Sequence, residues 1–346
     1  MPIHRVSQHE IETAVAELRA GRLVAFPTET VYGLGANAGD PSAVRRIFAA
    51  KGRPSTHPLI VHLDDPKYLG RWARSVPPAA EQLGKAFWPG PLTLVFERAP
   101  AVHDVVTGGQ DTIAVRVPSH PVARQLLTAF GGGIAAPSAN RYGHISPTRA
   151  EHVRDEFGDT IEVILDGGDC KIGLESTIVS CVSDPPLLLR PGSITLSQLR
   201  GVVPEIIEAE QGTAPRVPGS DARHYAPETP LHVVPEKRLE QVAAEYAQKR
   251  ERVAVLAMRP PGRTNRHMTW INAGSRPEAY GHALYANLRT LDRVGAQAIL
   301  IQELPGDERW VAIRDRIRRA ATAEKLVTSD PDIAAMRALF DEDDLP

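Results

Sequence analysis

The chain has 346 residues, 42% of them hydrophobic and 24% charged, with a formal net charge of −2. That length points to two domains, each able to bury a core of its own, and the near-neutral balance argues against the basic excess that non-specific nucleic-acid binding favours. Its two cysteines, Cys170 and Cys181, show neither CxxC nor metal-finger spacing and read as thiols in a reducing compartment.

In chain order, Ser7 to Glu10 fits a capping box, with Ile11, Val15 and Leu18 at helical spacing and Gly21 as the stop. A strand over Leu23 to Phe26 leads into the stretch from Pro27 to Ala38, where Gly33 and Gly35 read as tight turns or close approach to a ligand. Asp40-Pro41 caps a second helix that ends near Lys51-Gly52. A strand over Pro58–Leu63, two short helices (66–73 and 78–87) and strands at Leu92–Phe96 and Thr112–Val117 follow. Next come a helix from His120 to Phe130, broken by three glycines, a strand at Ile134–Ala136 and a helix starting at Pro147. Strands at Ile161–Leu165, Ser176–Cys181 and Leu187–Arg190 complete this half, which reads as α/β or α+β with a mixed sheet.

Between Glu208 and Thr229 the periodicity fails and prolines cluster, which marks a linker. Beyond it, strands at Leu231–Val234, Val253–Met258 and Ala298–Gln302 alternate with helices at 236–249, 277–294 and 308–320, as in a small parallel α/β domain. The N-terminus does not read as a signal peptide, and no apolar run reaches the ~18–20 residues that span a bilayer. The cytoplasm is the expected location.

No single motif is specific. Gly33 to Gly39 has GxGxxxG spacing, which is not the dinucleotide fingerprint, and no GxxxxGK[ST] loop is present. Thr28, Glu29 and Thr30 read as a hydrogen-bonded turn or as ligand contacts. Lys51 and Arg53 are either a solvated pair or a phosphate clamp, Lys as a point charge and Arg as a planar fork. His62 in an apolar strand reads as a core histidine or a ligand. Arg116 interrupts another apolar strand and needs water or a carboxylate partner. Ser138 and Asn140 lie past a strand end, where α/β sheets bind ligands. Ser176 and Thr177 open a strand, and Arg190-Pro-Gly192 reads as well as a turn. With no Ser-His-Asp set, HExxH or activated cysteine, the chemistry expected is positioning and charge, as in nucleotidyl transfer.

Six stretches, FPTETVYGLGANA, KGRPSTHPLIVH, APSANRYGHISPT, ESTIV, LLRPG and RHYAP, occur in an order that resembles the two-domain form of the threonylcarbamoyl-AMP synthase family. The likeness runs motif by motif over about residues 8–230. It implies an α/β fold: a YrdC-like open, twisted mixed sheet over residues 1–208, a linker or lid at 209–230, and a Rossmann-like parallel domain over 231–346. It also implies synthesis of threonylcarbamoyl-AMP and pyrophosphate from L-threonine, bicarbonate and ATP, with a downstream threonylcarbamoyl-transferase complex passing the group to tRNA. By matching motif positions, Thr30, His62, Arg116, the backbone at Ala136 and Ser176 would hold threonine. Arg53, His57, Thr112, Ser138, Asn140, Ser146, Arg190 and Tyr225 would hold ATP, with Lys51 and Arg53 the catalytic pair at the phosphates.

Mg2+ would come with ATP, without a protein ligand, and weak tRNA contact is compatible with the charge. Two departures stand out. His57 replaces a more usual Asn, and Pro218 to Ala222 lacks the usual Met-Lys-Tyr before Arg223-His-Tyr225. The competing readings are a non-catalytic RNA-binding module and a hydrogenase-maturation carbamoyl transferase. The latter carries cysteine-rich metal modules that two cysteines cannot build.

Overall fold

The computed structural model describes residues 6–210, 215–219 and 225–322. Helix α1 (Gln8–Arg19) begins as the capping box dictates: Ser7 Oγ accepts from the Glu10 amide, and the Glu10 carboxylate accepts from the Ser7 N–H at 2.8 Å. Strands β1 (Val24–Phe26) and β2 (Gly33–Asn37) follow, then α2 (Pro41–Lys51), capped by Asp40 and ended by Gly52 at φ +64°. Next are β3 (Ile60–His62), α3 (Pro78–Phe87), β4 (Leu92–Glu97), α4 (Asp104–Thr107), β5 (Thr112–Arg116), α5 (Pro121–Phe130) and β6 (Ile134–Ala135). The first unit closes with α6 (Ala150–Phe157), β7 (Val163–Ile164), β8 (Thr177–Ser180), β9 (Leu187–Arg190), α7 (Leu196–Arg200) and β10 (Ile207–Glu208).

These ten strands form one mixed sheet in the order β10-β9-β8-β4-β5-β3-β6-β2-β1-β7. One face carries Val61, Leu94, Phe96 and Val115, packed with Ile47, Phe48 and Leu83 from the helices. The other face of the central strands presents Ile60, Val95, Ala114 and Ile178, and Val217 of the linker packs there. On that second face the register sets His62 and Thr93 on either side of Arg116, at one end of the apolar patch. The site grows from this row.

β2 corrects the sequence reading. Gly33 and Gly35 are not in turns but in a strand antiparallel to β1. A Cβ on Gly35 would stand 2.8 Å from Phe26 Cε1 and 2.9 Å from Ile134 Cγ2, so the glycine makes room for an aromatic ring lying across the strand.

The second unit contains β11 (Leu231–Val234), α8 (Glu236–Gln248), β12 (Val253–Ala257), β13 (Met268–Asn272), α9 (Pro277–Asp292), β14 (Ala298–Gln302) and α10 (Val311–Ala320). Its four strands are all parallel, in the order β11-β14-β12-β13. Leu239 and Val242 of α8 cover one face with Val255 and Leu300. Leu284, Leu288 and Ile317 of α9 and α10 cover the other with Leu256 and Ile301, and Val31, Ile145, Leu174 and Tyr225 join that same cluster. The α9–α10 layer is thus shared between the units. Among the described residues, no helix is long and apolar enough to cross a membrane.

Candidate active site

A cavity of about 50 Å3 lies on the linker-facing side of the large sheet. Its walls include Thr28, Thr30, Arg53, His62, Arg116, Ala136, Ser138, Glu175, Ser176, Arg190, Gly219 and Tyr225. Nine residues singled out from the sequence therefore meet in one place: Thr30, Arg53, His62, Arg116, Ala136, Ser138, Ser176, Arg190 and Tyr225.

Arg116 finds its partner inside the protein. Its Nη2 donates to Glu29 Oε1 at 2.6 Å, Nη1 to Thr30 Oγ1 at 2.8 Å, and Nε to the Gly90 carbonyl at 3.2 Å. The second Glu29 oxygen accepts from the Ser119 N–H. Burial pushes the Glu29 carboxyl up, but the Arg116 guanidinium and the backbone N–H groups outweigh it and hold the carboxyl below its ordinary value. Thr28 Oγ1 lies 2.8 Å from Thr30 Oγ1 and donates to the Val31 carbonyl, so the turn reading of this segment and the ligand reading are compatible.

His62 is 4% exposed, and its Nδ1 has no hydrogen-bond partner among the described residues. Burial, then the neighbouring Arg116 charge, pushes its pKa down to about 3, so the imidazole is neutral. A buried polar atom without a partner is costly, and this one belongs to a residue that lines the cavity.

Arg190 is buried and makes a fork: Nε and Nη2 donate to the Ser176 carbonyl, Nη2 to Ser176 Oγ at 3.1 Å, and Nη1 to the Pro218 carbonyl at 2.6 Å. Ser176 Oγ also meets Thr93 Oγ1 at 2.7 Å. One guanidinium thus ties the start of β8 to the linker. The Arg-Pro-Gly turn follows from packing, since a Cβ on Gly192 would lie 2.3 Å from the Thr177 nitrogen. Arg53 is 7% exposed, with Nη2 donating to the Pro58 carbonyl.

Five residues predicted to touch ligand do not line the cavity. Lys51 is neither a surface pair nor a wall residue: it is buried at the end of α2, and its Nζ donates to the carbonyls of Ser138 (2.6 Å) and Asn140. Burial, then the Arg53 charge, pushes its pKa well below the ordinary lysine value. Asn140 is also structural in this arrangement, its amide donating to the carbonyls of Arg141 and His144. Ser146 Oγ donates to Glu175 Oε1 at 2.6 Å. His57 is half-buried, edge-on to Tyr142 at 5.5 Å, and Thr112 opens β5 opposite Glu97. The Ala136 N–H is taken up by the Ile60 carbonyl. Of the linker motif, Arg223 and His224 lie outside the described residues, while Tyr225 is buried with φ +63°.

Thr28, read as a turn or a ligand contact, is also in the wall, whereas sequence reasoning missed Glu175, Pro218 and Gly219 as wall residues. Glu175 was legible in part, as an acid abutting an apolar strand. Gly219 was not: a Cβ there would lie 2.1 Å from the Tyr225 hydroxyl, a fit that residue spacing does not reveal.

A buried guanidinium beside hydroxyls and a neutral imidazole can hold a small zwitterion. Arg53 and Arg190 can hold an anion of a second substrate in the same cavity. Known proteins share this architecture. A Sua5, YciO and YrdC family model, described as telomere recombination, matches residues 16–192, and one described as threonylcarbamoyl-AMP synthase, C-terminal domain, matches residues 194–322. The threonylcarbamoyl-AMP synthase of Pyrococcus abyssi is 40% identical over 92% of this chain and 95% of the relative, and that of Bacillus subtilis is 42% identical over 90% and 93%. A crystal structure of P. abyssi Sua5 complexed with L-threonine superposes with a TM-score of 0.85 at 40% identity, covering 92% of this chain and 96% of the other. With both units matched and the likeness running nearly end to end, the chain belongs to the threonylcarbamoyl-AMP synthase family.

Proposed function

We propose that this chain is an L-threonylcarbamoyladenylate synthase, a nucleotidyltransferase that joins L-threonine, bicarbonate and ATP into threonylcarbamoyl-AMP and pyrophosphate for tRNA modification. The observation that carries the reading is the convergence of Arg116, Thr30, His62 and Ser176 with Arg53, Ser138 and Arg190 on one cavity. Threonine would set its carboxylate on Arg116 and its hydroxyl among Thr30, His62 and Ser176. A site that hydrogen-bonds a substrate hydroxyl rejects analogues lacking it far more strongly than apolar fit does. With its pKa near 3, His62 is a hydrogen-bond partner and not a proton store at neutral pH.

The chemistry balances without a protein nucleophile. The neutral amine and bicarbonate give a carbamate and water; a carbamate oxygen attacks the α-phosphorus, and the bond to pyrophosphate breaks. Arg53 and Arg190 stabilise charge on the phosphate oxygens, and Lys51 acts one step back, fixing the Ser138–Asn140 loop through its carbonyls. Glu175 is committed to Arg316, Ser146 and Tyr285, so Mg2+ would be held by the nucleotide's phosphates, which it prefers. Pro218, Gly219 and Tyr225 form the linker side of the cavity and would face the nucleotide.

We place the protein in the cytoplasm, supplying a threonylcarbamoyl-transferase complex, with at most weak direct contact to tRNA. Carbon-13 bicarbonate supplied with ATP and L-threonine tests the reaction: the adduct should carry one labelled carbon. Salt-sensitive tRNA binding without nucleotide turnover would favour the RNA-binding module instead.

A further inference from the structure

Arg316, on α10 of the second unit, has no exposed side-chain surface, yet its partners in the first unit all belong to the cavity or adjoin it. Nε donates to Glu175 Oε2 at 2.7 Å, and Glu175 is a wall residue next to Ser176. Nη2 donates at 3.0 Å to the carbonyl of Pro191, the residue after Arg190. The flat guanidinium lies 5.4 Å from the Tyr225 ring centroid. Nη1 goes to its neighbour Asp315. Tyr285 of α9 completes the group, stacking on Tyr225 at 5.8 Å and donating its hydroxyl to Glu175 Oε2 at 2.9 Å.

We propose that Arg316 is a positioning residue for the synthase reaction, through which the second unit sets Tyr225, Glu175 and the Arg190 turn in their working places. Replacing a buried ion pair by apolar side chains is often neutral or stabilising, so stability alone gives little reason for this one. A lysine would supply the charge but neither the fork nor the flat face. Tyr225 holds a left-handed backbone conformation, at φ +63°, that is strained for a non-glycine residue and persists only where its surroundings over-determine it. The Arg316 and Tyr285 contacts do so. This inference rests on the reading that Tyr225 and Arg190 face ATP. Arg116 and Thr30 bond to each other, with Arg116 also on Gly90 and Glu29, apart from the group around Arg316, so the threonine side should be spared.

The test is Arg316→Lys, assayed by threonine- and bicarbonate-dependent pyrophosphate release. A displacement of about 1 Å costs on the order of 10²-fold in rate, so kcat/KM for ATP should fall about 10- to 100-fold while the Kd for L-threonine stays within about threefold. Arg318→Ala, exposed on the same helix, should change neither. In a Tyr225→Ala background, Arg316→Lys should cost clearly less than it does in the parent, because part of its action runs through that ring. Parental ATP kinetics in Arg316→Lys, or full multiplication of the two effects, overturns the proposal. Should Arg316→Lys not fold, Tyr285→Leu, which removes both the ring stacked on Tyr225 and the hydroxyl on Glu175, takes its place in the cycle, where a loss in kcat/KM for ATP is again expected and the same parental or multiplicative behaviour overturns the proposal. Lack of threonine-dependent turnover by the parent protein overturns the reading of the cavity itself. Parental turnover with an indifferent Arg316 overturns this inference alone.

Discussion

Removing Arg116 should separate stability from substrate binding. Arg116→Met leaves the Glu29 carboxylate, 4% exposed, with the Ser119 N–H and no cation. Breaking a buried pair from one side costs about 3–5 kcal/mol. In the parent, the Glu29 carboxyl lies below its ordinary value, so its contribution is present above pH 4.5 and lost as pH falls through the folded value. In Arg116→Met the uncompensated carboxyl rises instead, and protonation relieves the penalty, so the stability gap should narrow on acidification. Adding Glu29→Gln removes the stranded charge and should recover most of the loss at pH 7. Threonine binding should not recover. A charge-assisted bond contributes about 1.5–3 kcal/mol, which is at least about tenfold in Kd. Thermal unfolding from pH 4 to 8 and calorimetry with L-threonine read the two effects. A double variant that binds threonine as the parent does would refute the placement of the carboxylate on Arg116.

Other perturbations address the remaining walls. Arg53→Ala should keep L-threonine affinity within about threefold while abolishing pyrophosphate release; normal turnover would remove Arg53 from the phosphate side. Lys51→Ala should lose turnover too, but with a stability cost on the order of 2 kcal/mol or more, because it strands the Ser138 and Asn140 carbonyls; thermal unfolding distinguishes the two. Gly219→Ala places a Cβ against the Tyr225 hydroxyl at φ +79° and should raise the KM for ATP severalfold with little change in global melting; unchanged kinetics would mean that the linker does not fit as described. Glu156, between His144 and Arg289, has a pKa of about 2 against an ordinary 4.5: burial raises it, and bonds from His144, the Arg141 amide and Arg289 outweigh that. Its contribution is therefore full above pH 4.5 and lost as pH falls towards 2, and Glu156→Gln should flatten that limb of the stability profile.

Local chemistry made much of the fold legible. The Ser7–Glu10 and Asp40–Pro41 caps placed two helices because capping is a short-range interaction between neighbours. β2 was missed because Gly-Leu-Gly-Ala-Asn lacks strand-forming side chains; their smallness answers to Phe26 and Ile134, which sequence spacing does not reveal. β13 was missed because this edge strand is largely half-buried or exposed and shows no alternation. At the site, nine residues that line the cavity were named from motif positions. Three of the five that do not line the cavity share a cause. Lys51, Asn140 and Ser146 satisfy buried carbonyls or a buried carboxylate, and a polar residue in a ligand motif looks the same whether it meets the ligand or the loop that does. Glu175–Arg316 could not be read at all, because its members lie 141 residues apart, one just before β8 and the other on α10.

The central claim is that this cavity recognises threonine and couples it to cleavage of ATP. The most direct measurement supplies the protein with ATP, bicarbonate and each amino acid in turn and follows pyrophosphate. L-Threonine should support release, serine more weakly by the about 1–3 kcal/mol that a methyl group contributes to discrimination, and valine, which lacks the hydroxyl, should support essentially none. Release that is indifferent to the amino acid, or that persists without bicarbonate, would contradict the account.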